Sequence, residues 1–214
     1  MAKLVNVKID NVTLEGTLDI PKGANGLVLF AHGSGSSRLS PRNTFVAKVL
    51  NKSKIATLLF DLLTEEEDQI YENRFNIDLL NKRLVAVTNW VKKQPGTKGL
   101  KIGYFGASTG AASALIASAQ LKNEITAVVS RGGRPDLAMA MLENVVSPTL
   151  LIVGGRDFEV IELNQQAYDA LTCTKKLEIV EGATHLFEEE GTLKKVADLA
   201  CDWFLKYFKK GARK

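Results

Sequence analysis

The chain has 214 residues, with 28 lysines and arginines against 24 aspartates and glutamates. The resulting net charge of +4 at pH 7 is small and spread along the chain, which excludes the basic face that nucleic-acid binding requires. At 45% hydrophobic and 24% charged residues the composition is that of a soluble globular protein, and 23.4 kDa predicts one domain, residues 1–214, with a sheet covered on both faces.

The elements follow in chain order. Residues 4–9 and 12–20 alternate apolar and polar side chains around a turn at Asp10-Asn11, the pattern of a hairpin. Residues 21–26 are loop by composition. Short apolar runs then alternate with amphipathic stretches, which predicts parallel strands joined by crossover helices. The strands fall at 27–31, 55–60, 100–105, 125–130, 149–153 and 177–180, and the helices near 42–52, 76–93, 109–121, 136–142 and 161–171, with a last helix at 192–209. The acidic stretch at 61–68 is read as a solvated helix start, with Thr64 as cap and Glu67 completing a capping box. In the 76–93 helix, Leu79, Leu80, Leu84, Val87 and Val91 share one face, with Trp90 beside them, and are core. The basic tail at 206–214 is a solvated helix end whose cations suit the helix dipole.

Several features exclude other classes. Cys173 and Cys201 have no metal-ligand spacing and predict a reducing compartment without disulfides. The first residues lack the apolar core of a signal peptide, and no run reaches membrane-spanning length. The expectation is a cytoplasmic protein with no metal, no cofactor, and neither membrane nor nucleic acid as partner.

The chemistry centres on Gly106-Ala107-Ser108-Thr109-Gly110, between an apolar strand and a helix of small residues. A G-x-S-x-G at a strand-to-helix turn is a nucleophile elbow: only residues with little or no side chain fit two positions either side of the serine, whose hydroxyl is pushed out above the sheet. A serine hydroxyl needs a base oriented by a carboxylate. Of two histidines, His185 follows the last strand and is the candidate base, whereas His32 sits in a loop it is better placed to shape. The carboxylate is assigned to Asp157, after the 149–153 strand and a glycine turn, with Asp136 and then Glu159 as alternatives and helix capping as Asp157's other role. Two backbone N–H groups would hold the oxyanion, those of Thr109 and Ser34, with Gly33 and Gly35 as alternatives to the latter. The His32–Gly35 loop lacks the Gly-Lys-Ser/Thr ending of a phosphate-binding P-loop.

With an antiparallel start, a doubly wound sheet and the order serine, aspartate, histidine, the chain has the layout of the α/β-hydrolase fold. It resembles the dienelactone hydrolase family in His32-Gly33-Ser34-Gly35-Ser36-Ser37-Arg38, Gly106-Ala107-Ser108-Thr109-Gly110, Gly155-Arg156-Asp157 and Gly182-Ala183-Thr184-His185. The resemblance implies a mostly parallel eight-stranded sheet with helices on both faces. The short stretch between Ser130 and Thr149, where lipases commonly insert a lid, implies no lid domain. The namesake enzymes carry cysteine as nucleophile; Ser108 departs from them, so the resemblance implies a carboxylesterase-like serine hydrolase acting on a small ester or lactone. Thioesterase, peptidase or acyltransferase chemistry would use the same residues, and a small-molecule-binding protein of this fold with little turnover is the remaining class. Arg131 and Arg134, after the 125–130 strand, with Arg156, Arg38 and Arg42 near the same sheet edge, predict an anionic substrate, unless they pair with local acids such as Asp136.

Overall fold

The computed structural model describes residues 2–209. Its centre is an eight-stranded sheet in the order β1-β2-β4-β3-β5-β6-β7-β8. Strands β1 (Lys3–Ile9) and β2 (Val12–Asp19) form the expected hairpin, and β2 pairs antiparallel with β4 (Ala56–Phe60). From β4 onward every pairing is parallel: β3 (Gly26–Ala31), β5 (Lys101–Ala107), β6 (Ile125–Arg131), β7 (Thr149–Gly154) and β8 (Lys175–Val180). The sheet is therefore mixed but mostly parallel, as the sequence predicts.

The continuous apolar runs are explained by what covers the sheet. All six residues of β3 are buried, and strand alternation divides them between two cores. Leu27, Leu29 and Ala31 join the core under α3 (Ile77–Val91), α4 (Thr109–Leu121) and α5 (Phe158–Ala170). Val28 and Phe30 join the core under α1 (Pro41–Lys52) and α6 (Thr192–Lys209), where Phe204 and Phe208 stack against each other. Edge strand β8 buries only Val180 fully, which is why its pattern is the least apolar.

Two segments differ in detail from the expectation. The acidic stretch forms a short helix, α2 (Glu65–Asp68), with the Thr64–Glu67 capping box in place, followed by a 3₁₀ segment at Tyr71–Phe75. The helix expected at 136–142 is a longer 3₁₀ segment, Pro135–Asn144, burying Pro135, Ala138 and Leu142. That burial spacing, three residues and then four, is the one an α-helix shows, so the apolar pattern alone does not reveal the 3₁₀ form.

Parallel strands bring their carboxyl ends to one edge. The segments that follow β3, β5, β6, β7 and β8 carry His32–Gly35, Ser108, Gly132–Arg134, Asp157 and His185. This is the edge where ligands bind in sheets of this kind.

Candidate active site

Ser108 sits between β5 and α4 with φ 50° and ψ −124°, a conformation that L residues rarely adopt. The turn is tight because α4 begins against the end of β3. A side chain at Gly110 would start 2.2 Å from Ala31 O and 2.4 Å from His32 O, and one at Gly106 would start 2.4 Å from Ala111 Cα. Holding a serine in such backbone costs about 1–3 kcal/mol and persists only where surrounding bonds over-determine it. Here they do: Ser108 N–H donates to Arg131 O at 3.3 Å, and Ser108 O accepts from Ala111 N at 3.0 Å and Arg134 N at 3.1 Å.

The β7 and β8 loops are laced to each other, with Gly155 N–H donating to Val180 O at 2.8 Å and Arg156 N–H to Ala183 O at 2.9 Å. Asp157 occupies the N-cap position of α5, yet its side chain makes no cap bond. Instead its Oδ2 accepts from His185 Nδ1 at 2.6 Å. With the Nδ1 proton donated to that carboxylate, Nε2 is left as the nitrogen with a free lone pair. The buried Phe187 anchors the loop two residues on. A side chain at Gly132 would lie 3.5 Å from His185 Cε1, so the imidazole stands over the Arg131–Arg134 segment that is itself bonded to Ser108.

On the other side of Ser108 lies the loop after β3. A side chain at Gly33 would start 3.0 Å from Ser108 Cβ and 3.7 Å from its Oγ. His32 shapes this loop. Its ring is 7% exposed, Nδ1 donates to Gly33 O at 3.0 Å, and Nε2 accepts from Leu62 N at 3.1 Å. Burial holds its pKa below the ordinary value, so the ring is neutral at pH 7. Ser34 N–H is engaged, donating to Thr109 Oγ1 at 2.9 Å.

The structure thus brings Ser108, His185, Asp157, Ser34 and Thr109 to one edge of the sheet. Glu159 is exposed on α5. Of the arginines put forward for an anionic substrate, Arg38, Arg42, Arg131 and Arg134 are engaged elsewhere, whereas Arg156 is exposed beside Asp157. Arg134 forms a two-pronged ion pair with Asp136, at 2.9 and 2.8 Å, which also occupies the alternative acid. Arg131 is 5% exposed and turns toward α1, where it reaches Asn43 Oδ1 at 3.4 Å and lies over the Phe187 ring at 5.8 Å. Burial, then the charge of Arg42, pull its pKa down to about 10, so it stays cationic at neutral pH. Its place beneath Phe187 makes it a support for the His185 loop.

Two supporting groups were not found by sequence reasoning. Asn164, fully buried on α5, donates to Gly133 O at 3.0 Å and fixes the loop beside Ser108. Its signal was a polar residue on an apolar helix face. The Thr109 hydroxyl was passed over because the turn draws attention to its backbone N–H.

A cleft of about 610 Å³ adjoins the far side of the His32 loop, lined by Glu15, Arg38, Asp61, Glu65, Glu66 and Asp68 among others. Among the described residues, no three or more His, Cys, Asp or Glu side chains are grouped to hold a metal ion. No helix among the described residues is long and apolar enough to cross a membrane.

The sheet order and the elbow define the α/β-hydrolase fold. Residues 44–210 match the dienelactone hydrolase family, and the chain belongs to that family. A dienelactone hydrolase of Anabaena variabilis is 54% identical and superimposes with a TM-score of 0.94 over 97% of this chain and 98% of that one. A Mycobacterium tuberculosis protein provisionally named a phosphoribosyl transferase is 57% identical over 201 residues. That match covers 94% of this chain but 45% of the other, so the chain spans about half the length of the curated relatives it matches. Est1E from Butyrivibrio proteoclasticus, at 18% identity, shares the fold with a TM-score of 0.84 over 97% and 99% of the two chains.

Proposed function

We propose that this chain is a serine hydrolase that cleaves small carboxylic esters or lactones through an acyl-enzyme. The observation that carries the reading is the 2.6 Å bond between His185 Nδ1 and Asp157, at the edge where Ser108 is held in its strained turn. Ser108 Oγ attacks the carbonyl carbon while His185 Nε2 takes its proton, and the carbonyl electron pair moves to oxygen. Collapse of that intermediate expels the alcohol, protonated by His185. Water, deprotonated by the same nitrogen, then releases the acid and restores Ser108. Asp157 fixes the tautomer and stabilises the imidazolium without taking the proton. The Thr109 N–H, at the first position of α4 where a helix leaves its amides without intrahelical partners, is assigned as donor to the developing oxyanion.

Phe158 and Leu186, directly after the acid and the base, are exposed and supply apolar surface for a small acyl or alcohol group. Phosphoribosyl transfer is not carried over to this chain. That name belongs to a protein more than half of which lies outside the match, whereas the 54% identical dienelactone hydrolase matches almost end to end.

The test is hydrolysis of p-nitrophenyl esters and simple lactones by wild type and Ser108→Ala, with fluorophosphonate labelling of Ser108. Turnover and labelling that both vanish in the variant support the reading. An unlabelled, inactive wild type would instead make the chain a ligand-binding member of its fold.

A further inference from the structure

Two backbone amides would ordinarily be enough to hold the oxyanion, but here one of them is already committed. Ser34 N–H points at Thr109 Oγ1 at 2.9 Å, well within hydrogen-bonding range. For that amide to face a substrate oxygen directly, it would have to abandon the hydroxyl. The side chain of Thr109 would then lose the contact that orients it, in a residue only 4% exposed.

The hydroxyl has chemistry left over. A threonine hydroxyl offers one donor and two acceptor positions, and accepting from Ser34 uses only an acceptor. Its proton therefore remains available on the side away from Ser34. The loop carrying that amide is pressed against the nucleophile, since a side chain at Gly33 would start 3.0 Å from Ser108 Cβ. Thr109 follows Ser108 directly, and its branched side chain has restricted χ1 freedom at the start of α4. An O–H so placed keeps its proton for a partner other than Ser34, beside a loop that lies against Ser108, and the incoming N–H polarises it, as bonds in a chain strengthen one another.

We infer that the Thr109 side-chain hydroxyl is itself a donor to the oxyanion, next to the Thr109 backbone N–H, and that the Ser34 amide acts through it. This rests on the acyl-transfer reading of the same site. The loop amide becomes the outer member of a two-bond relay, Ser34 N–H to Thr109 Oγ1 and Thr109 O–H to the substrate oxygen. The hydroxyl is then a catalytic group, and His32, which fixes the loop from behind, is a positioning residue.

The test compares Thr109→Val, Thr109→Ser and Ser108→Ala on p-nitrophenyl acetate. Removing an oxyanion donor typically costs about 100- to 1000-fold in kcat. The expected result is a loss of about that size in Thr109→Val with KM changed less than about threefold, and recovery of most of the activity in Thr109→Ser. Affinity for a trifluoromethyl ketone, whose serine adduct carries the oxyanion, falls in step with kcat, as a merely structural role would not require. If the valine variant does not fold, Thr109→Ala removes the hydroxyl without adding volume and is read the same way. A Thr109→Val enzyme as active as wild type overturns the inference, because the freed Ser34 amide would then serve directly. So does a serine variant as slow as the valine one, since packing of the methyl group would then be what matters. Ser108→Ala separates the two levels: if it still turns over, the acyl-transfer reading itself fails; if it is inactive while Thr109→Val is active, only the hydroxyl's role does.

Discussion

The strain at Ser108 can be measured as stability. Its φ of 50° and ψ of −124° mirror an extended conformation that L residues adopt freely, and glycine occupies both mirror forms about equally. A serine held there costs about 1–3 kcal/mol. Ser108→Gly removes that cost but adds about 0.5–1 kcal/mol of backbone entropy lost on folding. The net expectation is a gain of about 1 kcal/mol, or a rise in Tm of about 2–4 °C for a chain of this size. Ser108→Ala is the proper reference, because it also lacks the hydroxyl yet keeps the Cβ and hence the strain. The bonds that impose the turn, from Ser108 N–H to Arg131 O and from Ala111 N–H and Arg134 N–H to Ser108 O, are backbone bonds and survive both changes. Thermal unfolding followed by circular dichroism, with both variants inactive on p-nitrophenyl esters, makes the comparison. A glycine variant that melts at or below the alanine variant would refute the claim that the nucleophile's backbone stores strain.

Three further outcomes follow from the same geometry. Asp157→Asn is expected to lower kcat by about 10³- to 10⁴-fold by letting His185 adopt the wrong tautomer, while Asp136→Asn, whose carboxylate serves Arg134, changes it only a few-fold; steady-state rates that order the two variants the other way would reassign the acid. Gly110→Ala drives a methyl group to 2.2 Å from Ala31 O and is expected to cost about 3 kcal/mol in urea unfolding. His32, buried and neutral, takes up a proton near pH 6.5 only when the chain unfolds, so its share of stability is complete above 6.5 and declines as pH falls from there toward the depressed folded value. The urea midpoint should drop as pH falls below about 6.5, and less steeply in His32→Gln; equal slopes would count against a neutral buried ring.

Legibility in the sequence followed the periodicity and the scarcity of particular residues. Six-residue apolar runs such as Gly26–Ala31 announce strands covered on both faces, because each face supplies its own core. With only two histidines, both just after strands, position after the last strand marks His185 as the candidate base and leaves His32 to shape the loop after β3. What was hidden depends on which way a side chain turns. Arg131 and Arg134 stand at the expected sheet edge, but alternation along β6 sends Arg131 under Phe187, and a two-residue spacing lets Arg134 close on Asp136. The Ser34–Thr109 bond spans 75 residues and joins the loop after β3 to the start of α4, a contact that no local pattern encodes.

The charge of the substrate is where sequence and structure pull apart. Five arginines near one edge predict an anion, and the net charge of +4 would draw one in from a distance. In the cleft on the far side of the His32 loop the field has the other sign. The cleft beside the His32 loop is lined by five carboxylates, those of Glu15, Asp61, Glu65, Glu66 and Asp68, and its Arg38 is neutralised by Glu15 at 2.5 Å and Asp61 at 2.8 Å. Arg134 is paired and Arg131 buried, so neither presents an open fork to a substrate carboxylate. Charges beyond about 8–10 Å are screened at physiological salt, so a substrate that reaches into this cleft meets its carboxylates, with Glu65 and Glu66 outside the ion pairs to Arg38 and Arg74, rather than the net charge. A neutral ester such as p-nitrophenyl butyrate should therefore have the higher kcat/KM when set against the hemisuccinate, which adds a carboxylate to a chain of similar length. The gap should narrow as salt is raised, and Arg134→Ala should leave it unchanged. A preference for the hemisuccinate that disappears in Arg134→Ala would show instead that Asp136 releases its arginine when substrate binds.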